Sequence, residues 1–206
     1  MATRTARSAG NGREPPSADG RRERSRSSRA RIVQAMLDLV GGGHIAPSAA
    51  EVAKQAGVGL RSVFRHFDDM DSLYSEMSDA IEVRLMPVLL KPLAATEWKP
   101  RVRELAERRM TVFETMLPYR ISANIKRYQS SFLMQDYKRL IRLERQGVEA
   151  LLSPAVLADS AQTNALLAPL SFQTWRLLRH DQELPVEAAR AVVLRLVNAV
   201  LAQCDG

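Results

Sequence analysis

The sequence predicts an all-α protein of about nine helices, in which a small N-terminal helical domain precedes a larger one. Three observations support this fold class. Apolar residues recur at the i, i+3, i+4 spacing of helices along most of the chain. Glycine and proline interrupt that pattern where helices are expected to end, and the alternating pattern of strands is absent. We place a tail at 1–26, the first helical domain at 27–72 and the second at 73–206.

The composition predicts a chain that can bury a hydrophobic core without disulfide bonds. Of its 206 residues, 46% are apolar and one is a cysteine, Cys204. An intrachain disulfide cannot form, so we expect a reducing, cytoplasmic location. Cys204 is expected to be a small apolar residue, the alternative being a reactive or intersubunit thiol. No segment approaches the roughly 18 apolar residues of a membrane-spanning helix, so no membrane partner is expected.

The positive charge is concentrated at the N-terminus. Residues 1–31 hold nine arginines against three acidic residues, a net charge of +6 out of +7 for the whole chain. Residues 1–26 are rich in Gly, Pro, Ser and Arg and are expected to be disordered. A basic arm on a balanced body is typical of a polyanion-binding protein, because each arginine that neutralises a phosphate releases counterions. A solvated tail that only aids solubility is the alternative.

The first predicted helix begins near residue 27 and ends at a run of glycines. Ser27 or Ser28 can cap its N-terminus, and the glycines at 41–43 stop it. Its apolar residues follow the helical spacing and are Ile32, Val33, Met36, Leu37 and Val40.

The second and third predicted helices form a helix-turn-helix. Pro47 and Ser48 supply a first-turn proline and a capping hydroxyl, and Glu51 completes a capping box with Ser48. Gly57 suits the positive φ of the tight turn between the helices. The third helix has an inward stripe and an opposite, outward face. The stripe is Leu60, Val63 and Phe67, and the outward residues are Arg61, Ser62, Arg65 and His66.

That outward face has the chemistry of a DNA-reading surface. In a helix-turn-helix the second helix enters the major groove with its first residues at base edges. Arg61 lies at that start, where it can bond a guanine bidentately, and Arg65 follows one turn later. Ser48 can meet a phosphate through its hydroxyl and the helix dipole. The implied partner is a double-stranded DNA operator, the alternative being an ordinary solvated helix face.

Further helices are predicted across the middle of the chain. One begins at Asp69 or Asp71 and ends or kinks at Pro87. Another covers residues 100–117 and is broken by Pro118, and about two more occupy residues 119–152.

The last two predicted helices, at about 160–180 and 185–203, are apolar around most of their circumference. Such a helix must be buried on more than one side. We therefore expect both to pack against a twofold-related copy as an intersubunit four-helix bundle, which makes the protein a homodimer. A central buried helix within one chain is the alternative. The predicted interface residues are Leu167, Leu170, Trp175, Leu178, Val193, Leu196, Val197 and Val200.

The sequence lacks patterns typical of catalytic or metal sites. His44, His66 and His180 are far apart, and none has a metal-ligand spacing. A glycine-rich phosphate loop and a nucleophile elbow are also absent from the sequence. We expect no enzymatic activity, no metal and no cofactor, although residues distant in sequence can converge in space.

The order of these parts resembles the TetR family of transcriptional regulators at both ends of the chain. The resemblance implies a sequence-specific DNA-binding regulator. A helical ligand-binding or adaptor protein with weak or non-specific DNA binding remains the alternative. The matching residues are Val52-Ala53, Ala56-Gly57-Val58, Val63-Phe64-Arg65-His66-Phe67, Leu73, Ser171-Phe172-Gln173-Thr174-Trp175 and Leu184-Pro185.

Two positions depart from the family pattern. Phe64 replaces a tyrosine that customarily meets a phosphate, and Met70 replaces a customary lysine. We hypothesise that arginines just before the first helix supply the missing backbone contacts, along the phosphates or in the minor groove. The complete predicted DNA-binding set is Ser48, Gly59, Leu60, Arg61, Ser62, Phe64, Arg65, His66, Arg22, Arg24 and Arg26, and Arg21 belongs to the same basic segment.

The resemblance also implies a pocket in the middle helices for a small, fairly apolar effector. Its binding would shift the separation of the two reading heads, so that a repressor leaves DNA, provided that the effector prefers one arrangement. For each candidate taken singly, ordinary core is the alternative. The candidates combine thioethers, aromatic rings and an amide, and are Met86, Trp98, Met110, Phe113, Met116, Tyr119, Asn124, Tyr128, Phe132 and Trp175.

Overall fold

The computed structural model describes residues 18–204. All regular elements in this range are helices, so the predicted all-α fold class is confirmed. The first five are α1 (Ala18–Gly41), α2 (Ala49–Ala56), α3 (Leu60–His66), α4 (Met70–Leu89) and α5 (Trp98–Lys126). The others are α6 (Ser131–Glu149), α7 (Pro154–Ala158), α8 (Ser160–Leu167), α9 (Phe172–Arg176), which continues as a π-helical turn over Leu177–Asp181, and α10 (Val186–Gln203).

Helix α1 begins earlier than the sequence suggested. It starts at Ala18 and not at Ser27 or Ser28, so the predicted disorder is wrong for residues 18–26. Arginine is a good helix former, and extending an existing helix orders one residue at a time without a new nucleation cost. The exposed Glu23 and Arg26 also form an i, i+3 ion pair at 3.6 Å. The predicted disorder of residues 1–17 lies outside the described residues.

Helices α1 to α3 form the predicted helix-turn-helix head. The capping box is present, with Glu51 N donating to Ser48 Oγ at 3.3 Å and Ser48 N donating to Glu51 Oε2 at 2.8 Å. Pro47 lies one residue before this cap and not in the first turn as predicted. Gly57 has φ 63° and ψ 39°, the left-handed conformation expected for the turn. Leu60 is 46% exposed, so the predicted inward stripe of α3 is reduced to Val63 and Phe67.

Two prolines expected to interrupt helices do not end them. Helix α4 is capped by Asp69, whose Oδ1 accepts from Ser72 N at 2.8 Å, and it continues past Pro87 to Leu89. Helix α5 passes through Pro118, although an interior proline costs about 3 kcal/mol. One face of α5 is buried on both sides of Pro118, for example at Phe113 and Ser122, and this packing offsets the missing hydrogen bond.

The remaining helices also differ in detail from the prediction. Residues 119–152 contain the end of α5 and the single helix α6 in place of two separate helices. The helix expected at 160–180 is divided into α8 and α9. Pro169 lies in the break, and the Ser171 hydroxyl then accepts from Thr174 N at 3.2 Å to begin α9. The final helix runs from Val186 to Gln203, as predicted to within one residue.

Most of the predicted dimer residues belong to the core of one chain. Leu170, Trp175, Leu178, Val193 and Val197 are all buried within the protomer. Because a buried side chain offers no surface to a second copy, their assignment to the interface is wrong. Leu167 and Val200 are half-buried, and Leu196 is 46% exposed.

Cys204 is buried with the C-terminal core, and its Sγ lies 3.4 Å from Val200 O.

No helix between residues 18 and 204 combines the length and the apolar character needed to span a membrane.

Candidate nucleic-acid interface and central pocket

The outward surface of α3 consists of two parallel rows of side chains. Arg61 and Arg65 are exposed one turn apart and form a basic row. Leu60 and Phe64, 46% and 50% exposed, form an apolar row beside it. Arginine can bond guanine, and apolar groups can contact the thymine methyl. The rows therefore combine both chemistries of base reading on one helix.

The turn before α3 supports this arrangement. Gly59 is the N-cap of α3, has an extended backbone and is exposed. Ser62 is half-buried, and its hydroxyl oxygen lies 3.4 Å from Arg65 Nη2. Without a side chain at Gly59, the first turn of α3 can approach another molecule closely.

Ser48, the predicted phosphate contact, is exposed but already forms hydrogen bonds with another residue of the chain. Its hydroxyl and its backbone N–H both donate to Glu51 Oε2, at 2.7 and 2.8 Å. These hydrogen bonds, that of the backbone first, lower the pKa of Glu51. A carboxylate therefore occupies the N-terminus of α2, where a phosphate would have to displace it.

His66 is the last residue of α3 and lies at its junction with α1. It is half-buried, and its Nε2 is buried without a hydrogen-bond partner in the described range 18–204. Burial, followed by the charges of Arg65 and Arg29, lowers its pKa. His66 is thus held neutral at physiological pH and contributes less to the outer surface than predicted.

Arg29 joins α1 to the end of α3 and to α4. Its guanidinium lies 4.3 Å from the centroid of the Phe67 ring and donates to the His66 carbonyl. Its Nε donates to Glu76 Oε1 at 2.8 Å. These contacts fix α1 against the helix-turn-helix.

The helical extension of α1 carries the basic segment away from this junction. Arg22 and Arg26 precede Arg29 by seven and three residues, which places all three on one face of the helix. At 1.5 Å per residue, Arg22 lies about 10 Å beyond Arg29 along the axis. Arg22, Arg24 and Arg26 are exposed. The predicted arm is therefore a basic helix from Ala18 onward.

A cavity of about 190 Å³ lies between α4, α5 and α6. It is lined by three of the predicted effector residues, Met86, Phe113 and Met116. A neighbouring cavity of about 30 Å³ adds Tyr119 and Asn124 and shares Met116 with the first. The structure thus brings together five of the ten candidates.

The other five candidates lie elsewhere. Met110 and Trp175 are buried in the core, away from both cavities. Tyr128 is 75% exposed, and Arg127 Nη2 donates to its hydroxyl at 2.7 Å. Trp98 and Phe132 pack against the core from its edge. These five residues do not line either cavity, because a helical pattern identifies a buried face without identifying which neighbour covers it, and their role in effector binding stays a prediction.

Sequence reasoning missed the charged residues of the pocket. Arg109 and Arg120 are buried on α5, and both line the larger cavity together with Glu144 of α6. Burial lowers the pKa of Arg109 to about 10, an effect that Glu144 partly opposes, so Arg109 stays charged at neutral pH. A signal was available, since Arg109, Phe113, Met116 and Arg120 share one helical face.

Three contacts hold the pocket helices to one another and to the head. Ser130 Oγ, at the start of α6, lies 2.5 Å from Asp71 Oδ2 in the first turn of α4. The buried hydroxyls of Tyr74 and Ser122 lie 3.2 Å apart and join α4 to α5. Tyr119, which lines the smaller cavity, packs against the end of α1, where a Cβ added to Gly41 would lie 2.9 Å from its hydroxyl oxygen. Helix α5 therefore touches α1 of the head directly, whereas α6 meets α4, the helix that follows the head.

Three solved structures that share this fold are described as transcriptional regulators. A transcriptional regulator from Rhodococcus sp. Rha1 has a TM-score of 0.63 and 16% identity, over 87% of this chain and 98% of its own. A TetR-family regulator from Rhodococcus sp. has a TM-score of 0.59 and 15% identity, over 84% and 98%. A TetR regulator from Rhodococcus sp. RHA1 has a TM-score of 0.53 and 14% identity, over 85% and 96%.

These comparisons define the class of fold. The chain has the all-α architecture of TetR-type regulators, and the similarity extends over nearly the full length of those proteins. No family model and no curated protein matches the sequence.

Proposed function

We propose that this protein is a sequence-specific DNA-binding transcriptional regulator. The observation that carries the proposal is the exposed basic row of Arg61 and Arg65, which lies on the second helix of a helix-turn-helix beside the apolar row of Leu60 and Phe64. This is the helix that enters the major groove in such motifs. The fold shared with TetR-type regulators supports the same reading.

Regulation by a small, fairly apolar effector accounts for the second half of the molecule. The central cavity is lined mainly by apolar side chains. Its wall α5 touches the head at Tyr119, and the hydrogen bonds of Ser130 and Tyr74 join α6 and α5 to the start of α4, the helix that follows the head. An effector that fits only one arrangement of α4, α5 and α6 would change the position of the head. We therefore propose a repressor that the effector releases from DNA.

The protein acts as a homodimer in this proposal, through a surface of α10 that shares only Leu196 with the predicted interface residues. Helix α10 presents a small apolar stripe to solvent, formed by Ala188, Val192, Leu196 and Ala199. Leu177, on the π-helical turn next to α10, is exposed as well. Small apolar residues allow two helices to approach closely, as the intersubunit bundle requires. Two reading heads would then bind two half-sites.

Fluorescence anisotropy provides the test. The chain is titrated into a labelled duplex from upstream of its own gene and into a shuffled duplex of the same composition, at several salt concentrations. A regulator should bind the first at least about a thousandfold more tightly at physiological salt. Equal affinity for both duplexes would instead support the adaptor protein, which the loss of phosphate contacts at Phe64 and Ser48 favours.

A further inference from the structure

We propose that the central cavity recognises an apolar carboxylic acid and that Arg120 is the residue that selects its charge. This inference rests on the proposed function and deepens it, because it names the chemical class of the effector. It depends on a buried arginine with an unused donor, on the local balance of charge and on the apolar outer part of the cavity.

Arg120 lines the cavity and has a hydrogen-bond donor without a partner among the described residues. The residue is 6% exposed, and its guanidinium carbon lies 3.8 Å from the centroid of the Phe172 ring. Nη1 donates to Glu144 Oε1 at 2.5 Å, whereas the buried Nη2 has no acceptor in the described part of the chain. Because Arg120 lines both cavities, a ligand oxygen that reaches Nη2 would satisfy a buried donor that is otherwise costly.

Around Glu144, the cavity lining holds two guanidinium groups and one carboxylate. Arg109 donates to two backbone carbonyls, those of Leu170 at 3.0 Å and of Glu144, so it has no carboxylate of its own. Glu144 divides its oxygens between Arg120 and the Phe172 N–H, at 2.5 and 3.2 Å. Two guanidinium groups thus share one carboxylate, and an anion would complete the set.

Two other carboxylates line the cavities and compete for a ligand of the opposite charge. Glu82 lines both cavities and Asp136 the smaller one, and both accept hydrogen bonds from Arg139, which leaves these three groups with one excess negative charge. A cationic ligand would prefer these carboxylates, and an anionic one would prefer Arg120. The unused donor at Arg120 favours the anion, since these two carboxylates already have a partner.

The outer part of the cavity suits a hydrocarbon tail. Leu85, Phe113 and Leu140 line it, and Met86, Leu89 and Leu143 line it near the surface and are partly exposed. Its volume of about 190 Å³ exceeds the roughly 150 Å³ that holds a benzene molecule. A medium-chain acid would therefore place its carboxylate at Arg120 and its tail against these residues.

Calorimetric titration of the full chain without DNA tests the proposal with three probes that share one tail, namely octanoate, octanol and octylammonium. Octanoate should bind at least about tenfold more tightly than octanol, since a charge-assisted hydrogen bond is lost with the alcohol. The double variant Arg120→Leu/Glu144→Leu removes both members of the ion pair and should reduce the preference for octanoate over octanol, because the remaining cation, Arg109, already donates to two backbone carbonyls. Arg145→Gln serves as the control, because it removes an exposed ion pair with Glu149 on α6, the helix that carries Glu144. This variant should still bind octanoate more tightly than octanol.

Several outcomes would overturn the proposal, and the wild-type titrations suffice even if the double variant fails to fold. These outcomes are equal affinities for octanoate and octanol, tighter binding of octylammonium, or no saturable binding of octanoate. DNA anisotropy separates this inference from the proposed function. If octanol and octanoate release the protein from DNA equally well, the proposed regulator is supported and the preference for a carboxylic acid is rejected. If octanoate binding depends on Arg120 but does not release the protein from DNA, the acid-binding site is supported and the effector-controlled repressor is rejected.

Discussion

The Ser130 hydroxyl donates a hydrogen bond to the Asp71 carboxylate at 2.5 Å. Ser130 is the N-cap of α6, where its oxygen also accepts from Leu133 N at 3.1 Å, and Asp71 lies in the first turn of α4. Helix α6, which forms one wall of the central cavity, is thus hydrogen-bonded to α4, the helix that follows α3. Displacement of α6 by an effector would be felt by α4 at this point.

Ser130→Ala should lower the free energy of unfolding by about 1 to 2 kcal/mol, because it removes a helix cap and a partner of Asp71. It should also weaken the effect of an effector on DNA affinity. Urea denaturation measures the first quantity and anisotropy the second. Ser131→Ala, at the exposed neighbouring position, serves as the control, and equal stability of the two variants would contradict the role of this hydrogen bond.

Arg61→Ala should reduce discrimination between the operator and a shuffled duplex by about 1 to 3 kcal/mol, since a bidentate contact with a guanine would be lost. Competition anisotropy with duplexes altered one base pair at a time measures the loss. Lys54→Ala changes an exposed charge on α2 and should leave discrimination intact. A uniform loss of affinity across all duplexes would show that Arg61 contacts only phosphate.

Replacing Arg22, Arg24 and Arg26 by alanine should reduce the salt dependence of DNA binding. The slope of log K against log salt should become shallower by about 0.9 for each arginine that contacts a phosphate, while alanine preserves the helix. Replacing the exposed Arg142, Arg145 and Arg195 in the same way gives a variant of equal charge. This control variant should keep the original slope. An unchanged slope in the variant of Arg22, Arg24 and Arg26 as well would show that these arginines do not contact DNA.

Leu196→Asp should convert the dimer into a monomer, because it places a charge in the centre of the apolar stripe on α10. Sedimentation velocity at micromolar concentration measures the change. Ile141→Asp alters a similarly exposed apolar residue on α6 and should remain dimeric. A wild-type chain that sediments as a monomer would reject the dimer itself.

Glu114→Gln should make stability less sensitive to acid. Hydrogen bonds from Arg179 and Trp175 lower the pKa of Glu114 against the opposing effect of burial. A carboxyl group with a lowered pKa stabilises the fold above its unfolded pKa of about 4.3, and this contribution is lost as the pH falls further. Urea midpoints between pH 3 and pH 6, roughly spanning that value, should fall less steeply in the variant. Glu187→Gln, at an exposed position, should keep the wild-type slope.

The sequence by itself determined the local features of the head. The capping box of Ser48 and Glu51, the turn at Gly57 and the cap at Asp69 all depend on residues within one helical turn of each other. Such interactions are encoded by spacing alone. The fold class and the outward placement of Arg61 and Arg65 follow for the same reason, because helical periodicity decides which side chains share a face.

The tertiary structure decided everything that depends on a neighbour distant in sequence. Pro118 continues α5 because buried residues on both sides hold it, and Trp175 belongs to the protomer core because its own chain already covers it. Arg120 is buried because Phe172 and Glu144 provide its environment from other helices. A helical pattern predicts which residues share a face, but only the packing of the helices decides what that face contacts. The charge of the pocket depends on these contacts, because they bring Arg120 and Glu144 together from different helices.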